Sequence, residues 1–207
     1  MTEQRVSLPT RDGQQLEGRV YRGEGKGRGS IILCHPHPLY GGDMDNNVVV
    51  ALQGALAQKG FSTLRFNFRG VGGSEGGCGE GVTEVEDVQA AVTFVAGEDA
   101  GPLYLAGYSF GAYAGVRGVA RDDRVKALVC ISPPVAIYDF SLLREEQRPK
   151  LIVTGKRDLI CPAHLVEELF LSLSEPKVLQ IVAGADHFWW GIEDQAAGYV
   201  VDFLQGL

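Results

Sequence analysis

A serine between two glycines, in the segment Gly107-Tyr108-Ser109-Phe110-Gly111, constrains the fold of this chain more than any other feature. An apolar run over residues 103–106 precedes the segment, and a helical run rich in small residues follows it. This order is typical of a sharp strand-to-helix turn that holds a serine hydroxyl clear of a sheet. Small neighbours allow the close backbone approach that such a turn needs. Ser109 is therefore the leading candidate for a nucleophile.

The composition is that of an ordinary globular protein, and we expect residues 1–207 to form a single domain. The net charge of −7 argues against a surface for nucleic acid or anionic membranes, because such surfaces are basic. No apolar run approaches the length of about 18 residues that a membrane span needs. The first residues also lack the apolar segment of a signal peptide. Together these features predict a cytoplasmic protein and indicate no particular oligomeric state.

The four cysteines are scattered and form no C-x-x-C pair. The spacing therefore indicates neither a zinc site nor a disulfide framework, and we expect reduced thiols. Cys161 stands apart because it lies close in sequence to Asp158. Asp43 and Asp45 have no histidine at metal-ligand spacing and are expected in turns or caps. No metal or organic cofactor is predicted.

Strand patterns alternate with helix patterns after an N-terminal hairpin. Polar and apolar residues alternate over Gln4–Pro9 and Gln14–Tyr21, on either side of Asp12-Gly13, which predicts two antiparallel strands. The later alternation predicts a mostly parallel α/β sheet with helices on both faces. Too few residues separate the strands ending near 132 and starting near 150 for an inserted cap domain. The predicted later strands are 30–34, 61–66, 103–106, 125–131, 150–154 and 177–182, and the later helices are 110–120, 162–173 and 192–204.

Two helices before the serine turn carry capping signals. Asn46 or Asn47 is placed to cap the first, which Gly60 would end in a left-handed conformation. Thr83 and Glu86 have the spacing of a capping box at the start of the second.

Three polar side chains follow the ends of predicted strands: Ser109, Asp158 and His187. Ligands of parallel α/β sheets meet the carboxyl ends of the strands, so these side chains should converge. Their chain order is that of a Ser, Asp, His triad. In such a triad histidine accepts the serine proton, and the carboxylate holds the imidazole in the useful tautomer.

Other residues compete for these roles. Asp139, in the loop after the strand that ends near 132, is the serious alternative acid. Asp186 is too close in sequence to His187 to reach its ring easily. His35 and His37 follow an earlier strand, so we expect them at the mouth of the site.

The chain resembles the α/β-hydrolase superfamily over almost its full length. Besides the triad stretches, residues 67–74 resemble the superfamily's N-x-R-G-x-G-x-S loop, and His35-Pro36-His37-Pro38 stands where many members carry His-Gly-x-Pro. Residues 35–47 are similar to small, cap-less bacterial hydrolases related to dienelactone hydrolases. The resemblance implies an α/β-hydrolase fold without a cap. Dienelactone hydrolases use a cysteine nucleophile, so serine at position 109 does not imply their reaction.

An oxyanion hole needs backbone N–H groups directed at the carbonyl oxygen. Pro36 and Pro38 have no N–H. Phe110 directly follows the nucleophile, and His37 takes the donor position when the loop is aligned with His-Gly-x-Pro. Phe110 and His37 are therefore the expected donors, with Tyr40 as the runner-up.

Aromatic residues and prolines beside the strand ends predict an apolar substrate pocket, although core packing is an equal alternative for Trp189. The expected substrate-binding residues are Tyr40, Tyr108, Pro133, Pro134, Phe188 and Trp189. The predicted function is a serine hydrolase that cleaves a small carboxylic ester or thioester through an acyl-enzyme. The alternatives are a peptidase or acyl-aminopeptidase with the same triad, and a non-catalytic binding protein on this fold.

Overall fold

The computed structural model describes residues 2–24 and 28–207, and its centre is an eight-stranded sheet. The strand order is β1-β2-β4-β3-β5-β6-β7-β8, in which β2 pairs antiparallel with both β1 and β4, and the other pairs are parallel. The strands are β1 (Gln4–Pro9), β2 (Gln15–Tyr21), β3 (Ser30–Cys34), β4 (Ser62–Phe66), β5 (Leu103–Tyr108), β6 (Val125–Ile131), β7 (Lys150–Gly155) and β8 (Lys177–Val182). The predicted fold class, a mostly parallel sheet with an antiparallel N-terminal hairpin, is confirmed.

In the part of the chain that the structure describes, five α-helices cover the two faces of the sheet. They are α1 (Asn47–Gln58), α2 (Glu84–Glu98), α3 (Phe110–Val119), α4 (Ala163–Ser172) and α5 (Glu193–Gln205). In β3, Ile32 packs into the core under α2, α3 and α4, whereas Ile31 and Leu33 pack into the core under α1 and α5. Burial on both faces explains why this strand is a continuous apolar run.

The first helix begins and ends as its sequence indicates. The Asn46 side chain accepts a hydrogen bond from the Val48 amide at 3.1 Å, so Asn46 rather than Asn47 is the N-cap. Gly60 follows the helix with a φ of 83°, the left-handed conformation that glycine adopts without strain.

The capping box predicted at α2 is wrong. Thr83 has helical backbone angles, φ −82° and ψ −23°, and its side chain makes no capping hydrogen bond. The adjacent Glu84 turns its buried carboxylate to the preceding loop instead, where it accepts from the Gly79 amide at 2.7 Å and the Gly81 amide at 2.8 Å.

The loops at the carboxyl ends of the parallel strands contain little regular secondary structure. Between β6 and β7 the helical structure is limited to one 3-10 turn, Ser141–Leu143, and among the described residues no cap domain covers this edge. A second 3-10 turn, Pro38–Tyr40, follows β3. The glycine-rich sequence from Gly23 to Gly29 also predicts a turn, but residues 25–27 lie outside the described residues. In the described ranges, no helix combines the length and apolar character that crossing a membrane requires.

Candidate active site

Ser109 lies at the turn between β5 and α3 in a strained backbone conformation, with φ 55° and ψ −121°. The two glycines of its motif have close neighbours. A Cβ atom on Gly107 would lie 2.3 Å from the Gly111 carbonyl oxygen, and one on Gly111 would lie 2.3 Å from the Cys34 carbonyl oxygen. No larger side chain fits at either position without moving the backbone.

Ser109, His187 and Asp158 form one chain of hydrogen bonds. Ser109 Oγ lies 3.0 Å from His187 Nε2, and His187 Nδ1 lies 2.8 Å from Asp158 Oδ2. All three side chains are buried. The second carboxylate oxygen, Asp158 Oδ1, accepts from the amides of Ile160 and Cys161 at 2.9 and 2.7 Å. These two amides fix the plane of the carboxylate that faces the imidazole.

The competing carboxylates are engaged elsewhere. Asp139 is exposed and accepts from the amide and the hydroxyl of Ser141, both at 2.8 Å. Asp186 accepts from the amides of Phe188 and Trp189 at 2.9 and 3.1 Å. Asp158 is therefore the carboxylate placed against the His187 ring.

Several backbone amides near Ser109 are candidates for the predicted oxyanion donors. Phe110 is the first residue of α3, where an amide has no acceptor within the helix. In the loop after β3, the Tyr40 amide donates to the His37 carbonyl at 3.1 Å, and the Leu39 amide donates to His37 Nδ1 at 3.1 Å. Within the described residues, the His37 amide has no acceptor. The geometry thus favours His37 over Tyr40 as the second donor.

His35 does not lie at the mouth of the site, which corrects the expectation. Its side chain is fully buried, with Nε2 accepting from the Phe68 amide at 3.0 Å and Nδ1 lying 2.6 Å from the Pro36 carbonyl. Burial lowers the pKa of His35 to about 4. His35 is thus a neutral structural bridge between the loops after β3 and β4.

A cavity of about 590 Å³ opens beside Ser109 and His187. Four predicted residues line it, namely Tyr40, Tyr108, Pro134 and Phe188, and so do Glu80, Ile137, Tyr138 and Ile160, which were not predicted. Neither Pro133 nor Trp189 lines the cavity, which corrects the prediction for these two. Trp189 is fully buried because its indole packs in the core under α5 and donates to Ser132 Oγ at 3.0 Å.

Comparison with known proteins shows the family to which this chain belongs. Residues 26–148 match the family model described as serine aminopeptidase, S33. The chain belongs to this family of α/β hydrolases. An uncharacterized protein of Rickettsia prowazekii is 35% identical over 200 residues, which cover 92% of this chain and 84% of that protein.

Two solved structures resemble this hydrolase over nearly their whole length. An α/β serine hydrolase homologue from Coxiella burnetii has a TM-score of 0.89 and 37% identity, and the match covers 100% of this chain and 98% of that one. An α/β serine hydrolase without lid from Xanthomonas campestris has a TM-score of 0.90 and 29% identity, and the match covers 100% and 95% of the two chains. The absence of a cap is thus shared with a structural relative.

Cys161 of this hydrolase lies against the candidate triad, a contact that its sequence position hinted at without defining. Its Sγ donates to the Ser132 carbonyl at 3.0 Å and lies 3.5 Å from His187 Nδ1. Burial and the nearby Asp158 carboxylate both raise the pKa of the thiol, so it stays protonated.

Asp158, Cys161 and His187 are also close enough to share a metal ion, since their ligand atoms lie within 4.8 Å of one another. Each of these atoms already has a hydrogen-bond partner in this cluster or in the adjacent backbone. The positions of these three side chains are therefore explained by hydrogen bonding alone.

Proposed function

We propose that this hydrolase cleaves small carboxylic esters or thioesters through a covalent acyl-enzyme on Ser109. The observation that carries the proposal is the continuous hydrogen-bonded chain from Ser109 Oγ through His187 to Asp158, at 3.0 and 2.8 Å. A serine hydroxyl is a weak nucleophile at neutral pH and needs such a neighbouring base. Ser109 and His187 both line the cavity, which supports the proposal because a substrate bound there can reach them.

In the acylation step, Ser109 Oγ attacks the carbonyl carbon while its proton passes to His187 Nε2. The tetrahedral intermediate collapses when the bond to the leaving group breaks, and the imidazolium returns the proton to the departing oxygen or sulfur. Asp158 stabilises the imidazolium and keeps the Nδ1–H tautomer. The acyl group is then bonded to Ser109.

Water completes the cycle by the same route. It attacks the acyl carbon and gives one proton to His187, which then protonates Ser109 Oγ as the carboxylic acid leaves. In both steps the carbonyl oxygen becomes negative, and the amides of Phe110 and His37 are the proposed donors to it. Each such donor stabilises a transition state by about 3 kcal/mol.

A fluorophosphonate probe tests the proposal directly, because it reacts with activated serines. The native protein should be labelled and should hydrolyse short activated esters, and Ser109→Ala should lose both properties. Ser7→Ala, which removes an exposed hydroxyl from the edge strand β1, is the matched control and should keep both. Ester turnover that persists in Ser109→Ala would refute the assignment.

A peptidase or acyl-aminopeptidase is the second candidate, and the description of the matching family as serine aminopeptidase favours it. The proposed triad chemistry applies to an amide as well as to an ester. Rates measured side by side on short esters, thioesters and aminoacyl amides distinguish the two candidates. If the native protein neither reacts with the probe nor cleaves any of these substrates, a binding role on the hydrolase fold replaces both.

A further inference from the structure

Glu80 has an unusual backbone conformation beside the cavity. In the described part of the chain, four non-glycine residues have a positive φ, and they are Glu80, Ser109, Ser132 and Trp189. Glu80, with a φ of 54°, stands between two glycines, either of which would adopt this conformation at less cost. Strained residues of this kind cluster at functional sites.

The strained conformation of Glu80 is held by the residues around it. The amides of Gly79 and Gly81, on either side of it, donate to the buried carboxylate of Glu84 at 2.7 and 2.8 Å. Gly81 also packs against Tyr113, since a Cβ atom there would lie 2.4 Å from the tyrosine ring. Glu80 is therefore presented to the cavity by a fixed loop.

Glu80 is exposed to solvent, and its carboxylate has no hydrogen-bond or ion-pair partner among residues 2–24 and 28–207. Across the same ranges, no lysine or arginine lines the cavity, and Glu80 supplies the one carboxylate in its lining. The aromatic rings of Tyr40 and Tyr138 line the same cavity. Tyr40 is exposed, whereas Tyr138 is half-buried and stacks one face on Tyr113. A carboxylate near an accessible aromatic ring is an arrangement that binds alkylammonium ions.

The rest of the cavity is suited to an apolar group. Five large hydrophobic side chains that line it are exposed to solvent, namely Leu39, Tyr40, Ile137, Ile160 and Phe188. Tyr40 is the most exposed of these five side chains, at 88%. A cluster of exposed apolar side chains at the mouth of a cavity marks a binding surface for apolar groups.

We propose that the cavity beside Ser109 selects substrates that combine an apolar body with an alkylammonium group, and that Glu80 is the residue that recognises the positive charge. The inference rests on the proposed function, because it names the substrate class of the same site. It also predicts that substrates with phosphate or carboxylate groups react more slowly, because the Glu80 carboxylate repels their negative charge and no lysine or arginine of the described lining offsets that repulsion.

Two esters of the same shape test the charge preference. Butyrylcholine has a positively charged quaternary nitrogen at the position where 3,3-dimethylbutyl butyrate has a neutral quaternary carbon. The wild-type ratio of their kcat/KM values should favour the cation by about tenfold, and Glu80→Gln should bring the ratio close to one. A ratio from one preparation does not depend on how much of the protein is folded.

Glu145→Gln is the matched control, because it removes the same charge from an exposed position far from Ser109. Glu145 lies near the amino end of β8, since the neighbouring Arg144 carbonyl accepts from the Ser174 hydroxyl at 2.8 Å just before that strand begins. This variant should keep the wild-type ratio. A wild-type ratio of one, or equal ratios in Glu80→Gln and Glu145→Gln, would overturn the inference.

Binding to a variant without the nucleophile separates this inference from the proposed function. In the Ser109→Ala background, calorimetry should detect butyrylcholine binding that Glu80→Gln weakens about fivefold or more and Glu145→Gln leaves unchanged. Binding with this pattern, together with no fluorophosphonate labelling of the native protein, would sustain the cation site and refute the hydrolase proposal. No binding, or binding insensitive to Glu80, would refute the cation site whatever the probe shows.

Discussion

The indole Nε1 of Trp189 donates a hydrogen bond of 3.0 Å to the hydroxyl oxygen of Ser132, and both residues have positive φ, 61° and 43°. Backbone conformations of this kind cost about 1–3 kcal/mol each and persist only where the surroundings hold them. Trp189 stands two residues after His187, whose carbonyl accepts from the Tyr108 hydroxyl at 2.6 Å. The two hydrogen bonds therefore fix the loop that carries the proposed base.

Trp189→Phe should loosen this loop, because the phenyl ring keeps most of the packing but cannot donate to Ser132. We expect kcat to fall about tenfold with a smaller change in KM, and the free energy of unfolding to fall by about 1–3 kcal/mol. Ester kinetics and equilibrium urea unfolding measure the two effects. Trp190→Phe, at a position 73% exposed, is the control and should resemble the wild type. Equal kinetics for the two variants would remove Trp189 from the positioning of His187.

Asp158→Asn should lower kcat by about 10⁴-fold, because an amide no longer stabilises the imidazolium and can favour the wrong tautomer of His187. Asp139→Asn is the direct comparison, since that exposed carboxylate contacts Ser141 rather than the imidazole. Its kcat should stay within about twofold of the wild type. The reverse result would transfer the acid role to Asp139.

Strand ends were the most informative signals in the sequence. In a parallel sheet the side chains that follow each strand converge on one edge, so the local patterns around Ser109, Asp158 and His187 were enough to predict which side chains meet. The glycines of the serine motif added the turn itself. These inferences needed the direction of each strand and the Ser, Asp, His order of a triad.

Contacts between loops could not be predicted in the same way. Glu80 lies in a glycine-rich segment whose path depends on hydrogen bonds to the Glu84 carboxylate. The spacing of Thr83 and Glu86 instead predicted a capping box at the start of α2, which does not form. Trp189 follows the proposed base, and its sequence position left the pocket and the core as equal alternatives; the indole lies in the core. Tertiary packing decided both cases.

Gly111→Ala should destabilise the protein severely, because its Cβ atom would lie 2.3 Å from the Cys34 carbonyl oxygen and 2.5 Å from that of His35. Backbone atoms cannot move aside cheaply, and we expect a loss of about 3 kcal/mol or more in the free energy of unfolding. Gly54→Ala, in α1 with no atom within 4 Å of the new Cβ, should instead stabilise by about 0.5–1 kcal/mol. Equilibrium urea unfolding of both variants checks the prediction, and a loss below about 1 kcal/mol for Gly111→Ala would contradict it.

His35 should make the folded state sensitive to mild acid. Because Nε2 accepts from the Phe68 amide at 3.0 Å, a proton added there would place two donors face to face. Burial lowers the pKa of this imidazole from 6.5 to about 4 in the folded protein, so the unfolded chain binds the proton first as the pH falls. Stability is therefore unaffected by His35 above about pH 7 and declines as the pH falls from about 6.5 toward 4.

The decline attributable to His35 between about pH 7 and pH 5 should be about 2 kcal/mol. Urea unfolding across this range should show the wild type losing that much more stability than His35→Gln, which cannot titrate. His164→Gln, which replaces an exposed histidine on α4, is the control and should follow the wild-type curve. Parallel curves for His35→Gln and the wild type would mean that the His35 ring is already free to accept a proton in the folded state. That result would contradict the neutral bridge between the loops after β3 and β4.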